Sequence, residues 1–202
     1  MIFLKLIAHR GLHQNGVAEN SLASFQQAIA NKDYDGFEFD IRTSKDGIFI
    51  IHHDLFIDGN LIRFLNYSEL KEKYHLTSLE EVLKLKTDKI MLLEIKEANI
   101  DTDALNKLIR QYPHTNLYID SFDNKIIERM MKYQNHAKYG VLNYILNSEQ
   151  NYQKYDFIGL LSSVITDDLI AFFEKNKIEI FIYGILNKKQ IGKYQNAFYI
   201  VD

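Results

Sequence analysis

Short hydrophobic runs recur along the chain, and polar or amphipathic segments separate them. Most of the runs are rich in Ile, Phe, Leu or Tyr, a pattern typical of strands that are buried on both faces of a parallel sheet. The pattern predicts eight such strands, at residues 3–8, 37–41, 90–95, 117–119, 137–142, 157–161, 178–183 and 197–201.

Amphipathic segments with helical spacing lie between most of these runs. Leu22, Phe25 and Ile29 repeat with the period of a helix, and Asn20 or Ser21 is suited to cap its first turn. Eight strands that alternate with helices predict either a (β/α)8 barrel or a doubly wound sheet. Three further apolar periods follow aspartates that could begin helices, Asp101, Asp123 and Asp167.

One segment interrupts the alternation. Residues 44–47, Ser-Lys-Asp-Gly, are a strong turn signal, so the second strand should turn back into an antiparallel hairpin strand at residues 48–51. Residues 55–79 are weakly patterned, and a short helix is expected at residues 79–85. No internal repeat or linker divides the chain, so residues 1–202 are expected to form one domain, small beside the roughly 250 residues typical of such barrels.

Composition excludes several classes of protein. The net charge is −3, which gives no basic excess for binding nucleic acid, so any affinity for an anion must be local. Without cysteine, the chain has no disulfide, no zinc–thiolate site and no thiol nucleophile. No apolar run approaches the roughly 18 residues of a membrane span, and the apolar start is too short for a signal peptide, so we expect a cytoplasmic protein without a membrane partner.

The polar residues that need explanation follow the ends of the predicted strands, where barrel enzymes hold their active sites. Glu38 and Asp40 share one face of the second strand, because side chains alternate along a strand. Glu94 and Lys96 share a face of the next barrel strand in the same way. If these faces meet at the barrel mouth, three carboxylates and one ammonium group converge there.

Three converging carboxylates require a counter-charge, because each disfavours the ionisation of the others. A hard cation such as Mg²⁺ or Ca²⁺ prefers oxygen ligands and would supply that charge. Arg10 and Lys96 remain free to hold an anion, for which Arg suits phosphate especially well. His9 and His53 supply a general acid and a general base near neutral pH. Each short motif alone is more often solvated surface; their occurrence at successive strand ends favours a site.

The other histidines carry weaker signals. His52 should point away from His53 and is interpreted as structural. His13 lies close enough to the end of the first strand to contact a substrate. The sequence does not decide between this role and a position outside the site. The remaining three are expected at the surface, His75, His114 and His136.

Taken together, these motifs resemble the signature of the glycerophosphodiester phosphodiesterase family, part of a superfamily of phospholipase-C-like barrels. The resemblance is dense over residues 7–123. Its motifs are His9-Arg10-Gly11, Glu19-Asn20-Ser21, Glu38-Phe39-Asp40, Lys45-Asp46-Gly47, His53-Asp54, the Thr-Ser-Leu-Glu-Glu-Val-Leu segment at 77–83, Glu94-Ile95-Lys96 and Ser121-Phe122-Asp123.

The resemblance implies a (β/α)8 barrel, a divalent cation, and hydrolysis of a small-molecule glycerophosphodiester to an alcohol and glycerol 3-phosphate. It also implies a role for each matching residue. His9 and His53 resemble the catalytic pair, and Glu19 resembles the acidic residue that orients the first loop. The metal ligands would be Glu38, Asp40 and Glu94; the substrate-binding residues would include Arg10, Lys96 and Tyr183, the last standing where the family has a Trp-containing motif.

The chain also departs from the family pattern. Members usually carry a sizeable insertion between the His-Asp and Glu-x-Lys motifs, whereas only residues 55–90 are available here, so the cap over the substrate should be short or absent. An open site leaves other substrates possible, such as sugar- or polymer-derived phosphodiesters. A non-catalytic barrel that binds metal or phosphate, and a metal-dependent isomerase, are further alternatives. The nucleophile could be water or a neighbouring substrate hydroxyl.

Overall fold

The structure is a computed structural model that describes residues 4–114, 116–147 and 150–202, with only the backbone of Lys188. Residue 3, the predicted start of the first strand, lies outside the described residues. Within them no helix is long and apolar enough to cross a membrane.

Eight parallel strands close into a barrel. The second barrel strand pairs with the first, and the last strand pairs with the other edge of the first, so the sheet has no free parallel edge. This closure confirms the (β/α)8 barrel and excludes the doubly wound sheet. The barrel strands are β1 (Lys5–Ala8), β2 (Gly36–Thr43), β6 (Ile90–Ile95), β7 (Leu117–Asp120), β8 (Lys138–Asn143), β9 (Phe157–Leu161), β10 (Glu179–Tyr183) and β11 (Phe198–Val201).

The predicted hairpin is present after β2. Strand β3 (Phe49–Ile51) runs antiparallel to β2, and the Gly47 amide donates to the carbonyl of Ser44 to close the turn. The weakly patterned stretch that follows is more ordered than its sequence indicates. It forms a small antiparallel pair, β4 (Phe56–Ile57) and β5 (Asn60–Leu61), a 3-10 turn at Ile62–Phe64 and helix α2 (Tyr67–Tyr74). The short helix expected at residues 79–85 is present as α3 (Leu79–Leu83).

Four helices cover the outside of the barrel near the predicted positions. Ser21 caps α1 and Asp101 caps α4, because their side chains accept from free amides of the first turn. Thr166, rather than Asp167, caps α6. Within the described residues, the connections before β9 and β11 contain 3-10 turns in place of helices, at Tyr152–Lys154 and Lys188–Gln190. The four helices are α1 (Leu22–Ala30), α4 (Thr102–Gln111), α5 (Asn124–Met130) and α6 (Asp167–Lys175); a further 3-10 turn spans Ser162–Val164.

Two hydrophobic layers support the site. Inside the barrel, the rings of Tyr118, Phe157 and Phe181 meet edge to face with centroids 5.1–5.4 Å apart and fill the lower part. Between barrel and helices, Phe25 of α1 packs on Phe37 of β2. The rings of Tyr118, Phe157 and Phe181 fill the lower interior, and the carboxylates that could bind a cation lie at the carboxyl ends of the strands.

Candidate active site

Three carboxylates meet at the carboxyl end of the barrel, as the sequence predicts. Asp40 of β2 pairs in register with Glu94 of β6, and Glu38 lies two residues earlier on the same face. One oxygen from each of the three lies within 4.8 Å of the others, the spacing of ligands around a single cation. All three donors are carboxylate oxygens, which suit a hard divalent ion.

The electrostatics of this triad also fit a cation. Burial, with Asp40 and Glu94 nearby, raises the pKa of Glu38 well above its ordinary value, although the Arg10 amide opposes the rise. Burial likewise raises the pKa of Glu94, even though Lys96 acts to lower it. Negative charge is therefore under-compensated by the chain itself, and a divalent cation would relieve the repulsion.

Arg10 lies in a strained loop after β1. Its φ angle is +53°, which is uncommon for a residue with a side chain, and it aims the Arg10 amide at Glu38 Oε2, 2.9 Å away. Its guanidinium donates to Glu19 at 2.7 Å, and the Nε atom lies 3.6 Å from Asp40. The structure thus gives Glu19 the predicted contact with the first loop.

Lys96 stands beside the triad. Its ammonium donates to Glu94 at 2.6 Å and lies 3.3 Å from Asp40. Arg10 and Lys96 thus place two cationic groups next to Asp40, where an anion bound at the triad would meet both.

The two histidines are each held through Nδ1 by a carboxylate. His9 Nδ1 lies 2.7 Å from Asp202, and its Nε2 lies 4.0 Å from Glu38. His53 Nδ1 lies 2.8 Å from Asp54, and the ring is close enough to Glu94 to interact with its charge. With Nδ1 donating to a carboxylate, Nε2 of each ring is left to exchange protons.

Several residues that complete the site are not among the candidates from sequence. The Asn20 side chain donates to the Asp40 carboxylate at 2.8 Å and accepts a hydrogen bond from the Asp40 amide. These two bonds explain the asparagine of the Glu-Asn-Ser motif. Arg42 donates twice to the carbonyl of His53, at 2.9 and 2.7 Å, and so fixes that loop. Asp120, at the end of β7, pairs in register with Glu94; the predicted strand stops one residue earlier, at 119.

Aromatic rings border one side of the mouth. Phe122 stacks on Tyr144 with centroids 4.4 Å apart, and Tyr183 meets Phe122 edge-on at 6.0 Å. The Tyr183 hydroxyl donates to the carbonyl of Asn143 at 3.0 Å, so this side chain is anchored. Below these rings a cavity of about 60 Å³ is lined by His9, Glu38, Leu92, Glu94, Asp120, Phe122, Leu142, Tyr183 and Ile200.

The remaining histidines lie apart from the triad. His52 is half-buried with its Nε2 near the Phe56 carbonyl, and burial lowers its pKa. His13 Nδ1 lies 3.1 Å from the carbonyl of Gly11. His75 and His136 are exposed as predicted, whereas His114 is half-buried, because its Nε2 lies 2.6 Å from a carbonyl of α3.

Comparison with known proteins adds independent findings. Residues 9–198 match the Glycerophosphoryl diester phosphodiesterase family. A glycerophosphodiester phosphodiesterase from Caldanaerobacter subterraneus subsp. tengcongensis is 30% identical over 161 residues, 68% of this chain. The aligned part spans only 65% of that relative's own length.

Solved structures share the fold. The crystal structure of a glycerophosphodiester phosphodiesterase from Thermotoga maritima superposes with a TM-score of 0.82 at 27% identity, covering 98% of this chain and 93% of that one. An Oleispira antarctica phosphodiesterase in complex with the product sn-glycerol-3-phosphate superposes with a TM-score of 0.79 at 19% identity, covering 98% and 93%. At 19% identity, the similarity to the Oleispira antarctica structure shows a shared fold only.

Proposed function

The chain belongs to the glycerophosphoryl diester phosphodiesterase family, and we propose on this basis that it hydrolyses glycerophosphodiesters to an alcohol and glycerol 3-phosphate. One observation carries the proposal: the oxygens of Glu38, Asp40 and Glu94 lie within 4.8 Å of one another, and Arg10, Lys96 and His9 lie within 4.0 Å of this triad. The charge of His53 also acts on Glu94. The 30% identical glycerophosphodiester phosphodiesterase from Caldanaerobacter subterraneus subsp. tengcongensis supports the same substrate class.

Each group has a defined part in this proposal. Glu38, Asp40 and Glu94 would hold Mg²⁺ or Ca²⁺, which when bound supplies Lewis-acid polarisation of a phosphoryl oxygen. Arg10 and Lys96 contact the phosphoryl group and offset the charge that develops in the transition state. The Glu19 carboxylate holds the Arg10 guanidinium in place, and Tyr183 forms an aromatic wall for the bound substrate.

The imidazoles carry the protons. One takes a proton from the nucleophile, and the other gives a proton to the oxygen of the leaving alcohol. Water as the nucleophile yields glycerol 3-phosphate directly, whereas a neighbouring substrate hydroxyl yields a cyclic phosphate that water must then open. Asp54 and Asp202 fix the ring orientations through Nδ1.

The proposal is tested by incubating the protein with glycerophosphocholine or glycerophosphoethanolamine and measuring the release of glycerol 3-phosphate with and without EDTA. His9→Ala and His53→Ala should each lower kcat by roughly 10²- to 10⁴-fold, while calorimetry shows unchanged metal affinity. Glu94→Ala should lose both metal binding and turnover. His52→Ala is the matched control and should keep near-normal turnover, since its ring faces the Phe56 carbonyl.

Two results would refute the proposal. Wild-type protein that binds metal and glycerol 3-phosphate but cleaves no diester would be a non-catalytic binding barrel. Turnover restricted to sugar- or polymer-derived diesters would keep the chemistry and replace the substrate. A cytoplasmic location stays a prediction, to be tested by cell fractionation.

A further inference from the structure

A buried carboxylate beside the triad has no partner. Asp120, at the end of β7, is 1% exposed, and its Oδ1 atom lacks any hydrogen bond within the described residues. An isolated buried carboxylate oxygen is costly, because it loses its bonds to water and gains none in return. Such a group at the edge of an active site indicates a bond that forms when a ligand binds.

Asp120 borders the cavity of about 60 Å³ below the aromatic rings. The floor of this cavity is aliphatic, formed by Leu92, Leu142 and Ile200, and its polar wall includes Glu38 and Glu94 besides Asp120 itself. No lysine or arginine lines it within the described part of the chain. A space of this size admits only a few non-hydrogen atoms.

The charges of the cavity restrict what can enter. A phosphoryl group is disfavoured next to Asp120, because this third carboxylate would repel it and no lysine or arginine lines the cavity within the described residues; the nearest contacts of Arg10 and Lys96 are with Glu19, Asp40 and Glu94. Asp120 is not among the three carboxylates whose oxygens cluster within 4.8 Å of one another. An ammonium group would be repelled by a divalent ion held at that triad.

A neutral hydroxyl group meets every restriction. It can donate to the unpartnered oxygen, and the carbon that bears it can pack on the aliphatic floor. This recognition does not depend on ionisation, because a neutral carboxyl group keeps an acceptor oxygen.

We propose that Asp120 determines specificity by accepting a hydrogen bond from a hydroxyl of the substrate's glycerol arm, which enters this cavity while the phosphodiester lies over the triad. The inference rests on the proposed function, since it assigns one part of that substrate to one residue.

The test compares two probes that differ only in hydroxyl groups, glycerol 3-phosphate and 1-propyl phosphate, by calorimetry with the metal-loaded protein. Wild type should bind glycerol 3-phosphate at least about tenfold more tightly. Asp120→Ala should lower the affinity for glycerol 3-phosphate by roughly 10- to 100-fold and leave the affinity for 1-propyl phosphate unchanged. Asp120→Asn, which keeps an acceptor oxygen, should retain part of the difference in affinity between the two probes.

Asp123→Asn is the matched control, because Asp123 follows in the same loop, caps α5 and does not line the cavity; it should bind both probes as wild type does. Equal loss of both probes in Asp120→Ala, or reduced affinity for Mg²⁺ or Ca²⁺ in Asp120→Asn, would overturn the inference. Phosphoethanolamine serves as a third probe. If Asp120→Ala selectively lost affinity for phosphoethanolamine, the cavity would be a subsite for a cation, and the inference would likewise be overturned.

The two proposals fail separately. Normal diester turnover by a wild type that does not discriminate between the probes would remove only the role of Asp120. Discrimination without turnover of any diester would remove only the proposed function.

Discussion

At the scale of the residue, the loop after β1 shows how backbone conformation builds the site. Arg10 and Gly11 both have positive φ angles, +53° and +79°. This backbone conformation directs the Arg10 amide to Glu38. A side chain at residue 11 would place its Cβ only 2.3 Å from Ser24 Oγ, and the Ser24 hydroxyl donates to the carbonyl of Arg10. Glycine is therefore required there both by conformation and by close approach.

Gly11→Ala should destabilise the protein by about 2 kcal/mol and displace the Arg10 amide from Glu38, which lowers metal affinity. Urea denaturation and calorimetry measure the two effects. Gly16→Ala is a matched control, because Gly16 has a φ of +82° but nothing within 4 Å of an added Cβ. Equal destabilisation by the two changes would show that φ strain alone, and not contact with Ser24, requires glycine at residue 11.

At the scale of the element, helix α3 ties the connecting segment to the barrel. Ser78 and Glu81 form a capping box, in which each side chain accepts from the other's backbone amide. Glu81 also accepts from the Tyr67 hydroxyl at 2.7 Å and from Lys71 at 2.9 Å, which joins α3 to α2. Ser78 bridges to Ile50 of β3, so this small network fixes the segment that follows the His53 loop.

This network predicts a pH dependence of stability. Burial acts to raise the pKa of Glu81, but the hydrogen bonds from Ser78, Tyr67 and Lys71 outweigh it and lower the pKa from 4.5 to about 2. Because the folded pKa is depressed, the stabilisation is present above the unfolded value and is lost as pH falls through the folded value.

Glu81→Gln should therefore reduce the free energy of unfolding by about 1 kcal/mol at neutral pH, and the difference from wild type should shrink between pH 4.5 and about 2. Chemical denaturation at several pH values measures this. Glu72→Gln, an exposed site on α2, serves as control. A gap between wild type and Glu81→Gln that stays constant down to pH about 2 would contradict the depressed pKa.

At the scale of the whole molecule, barrel closure concentrates acidic groups at one end. Glu38 and Asp40 come from β2, whereas Glu94 comes from β6, and the polypeptide alone leaves their repulsion only partly compensated by Lys96. Metal binding should therefore contribute to the stability of the entire barrel, because the site exists only in the folded state.

Mg²⁺ or Ca²⁺ at about 100 times its dissociation constant should raise the free energy of unfolding by about 2.7 kcal/mol, with a matching rise in Tm that EDTA reverses. Glu94→Gln should show little or no such rise, since it removes one ligand. Thermal denaturation with and without metal measures both. An undiminished rise in Glu94→Gln would place the ion elsewhere.

The sequence by itself determined the local features. Eight buried strands, the hairpin after the second strand, the capped helices and the residues of the triad are readable because hydrophobic period, turn residues and i, i+2 alternation act between near neighbours. The strand end at 119 was one residue short, which left Asp120 unrecognised, and the weak pattern of residues 55–79 concealed α2 and the β4–β5 pair. That residues 1–202 form one domain stays a prediction.

Only the tertiary structure decided which distant groups meet. Closure of the barrel distinguished it from a doubly wound sheet, and it brought Asp202 to His9 across 193 positions of sequence. It also aligned Asp120 with Glu94 and placed the Arg42 guanidinium on the carbonyl of His53. Local preferences set the direction of each side chain, but its partners depend on strand order and register, which are properties of the closed sheet.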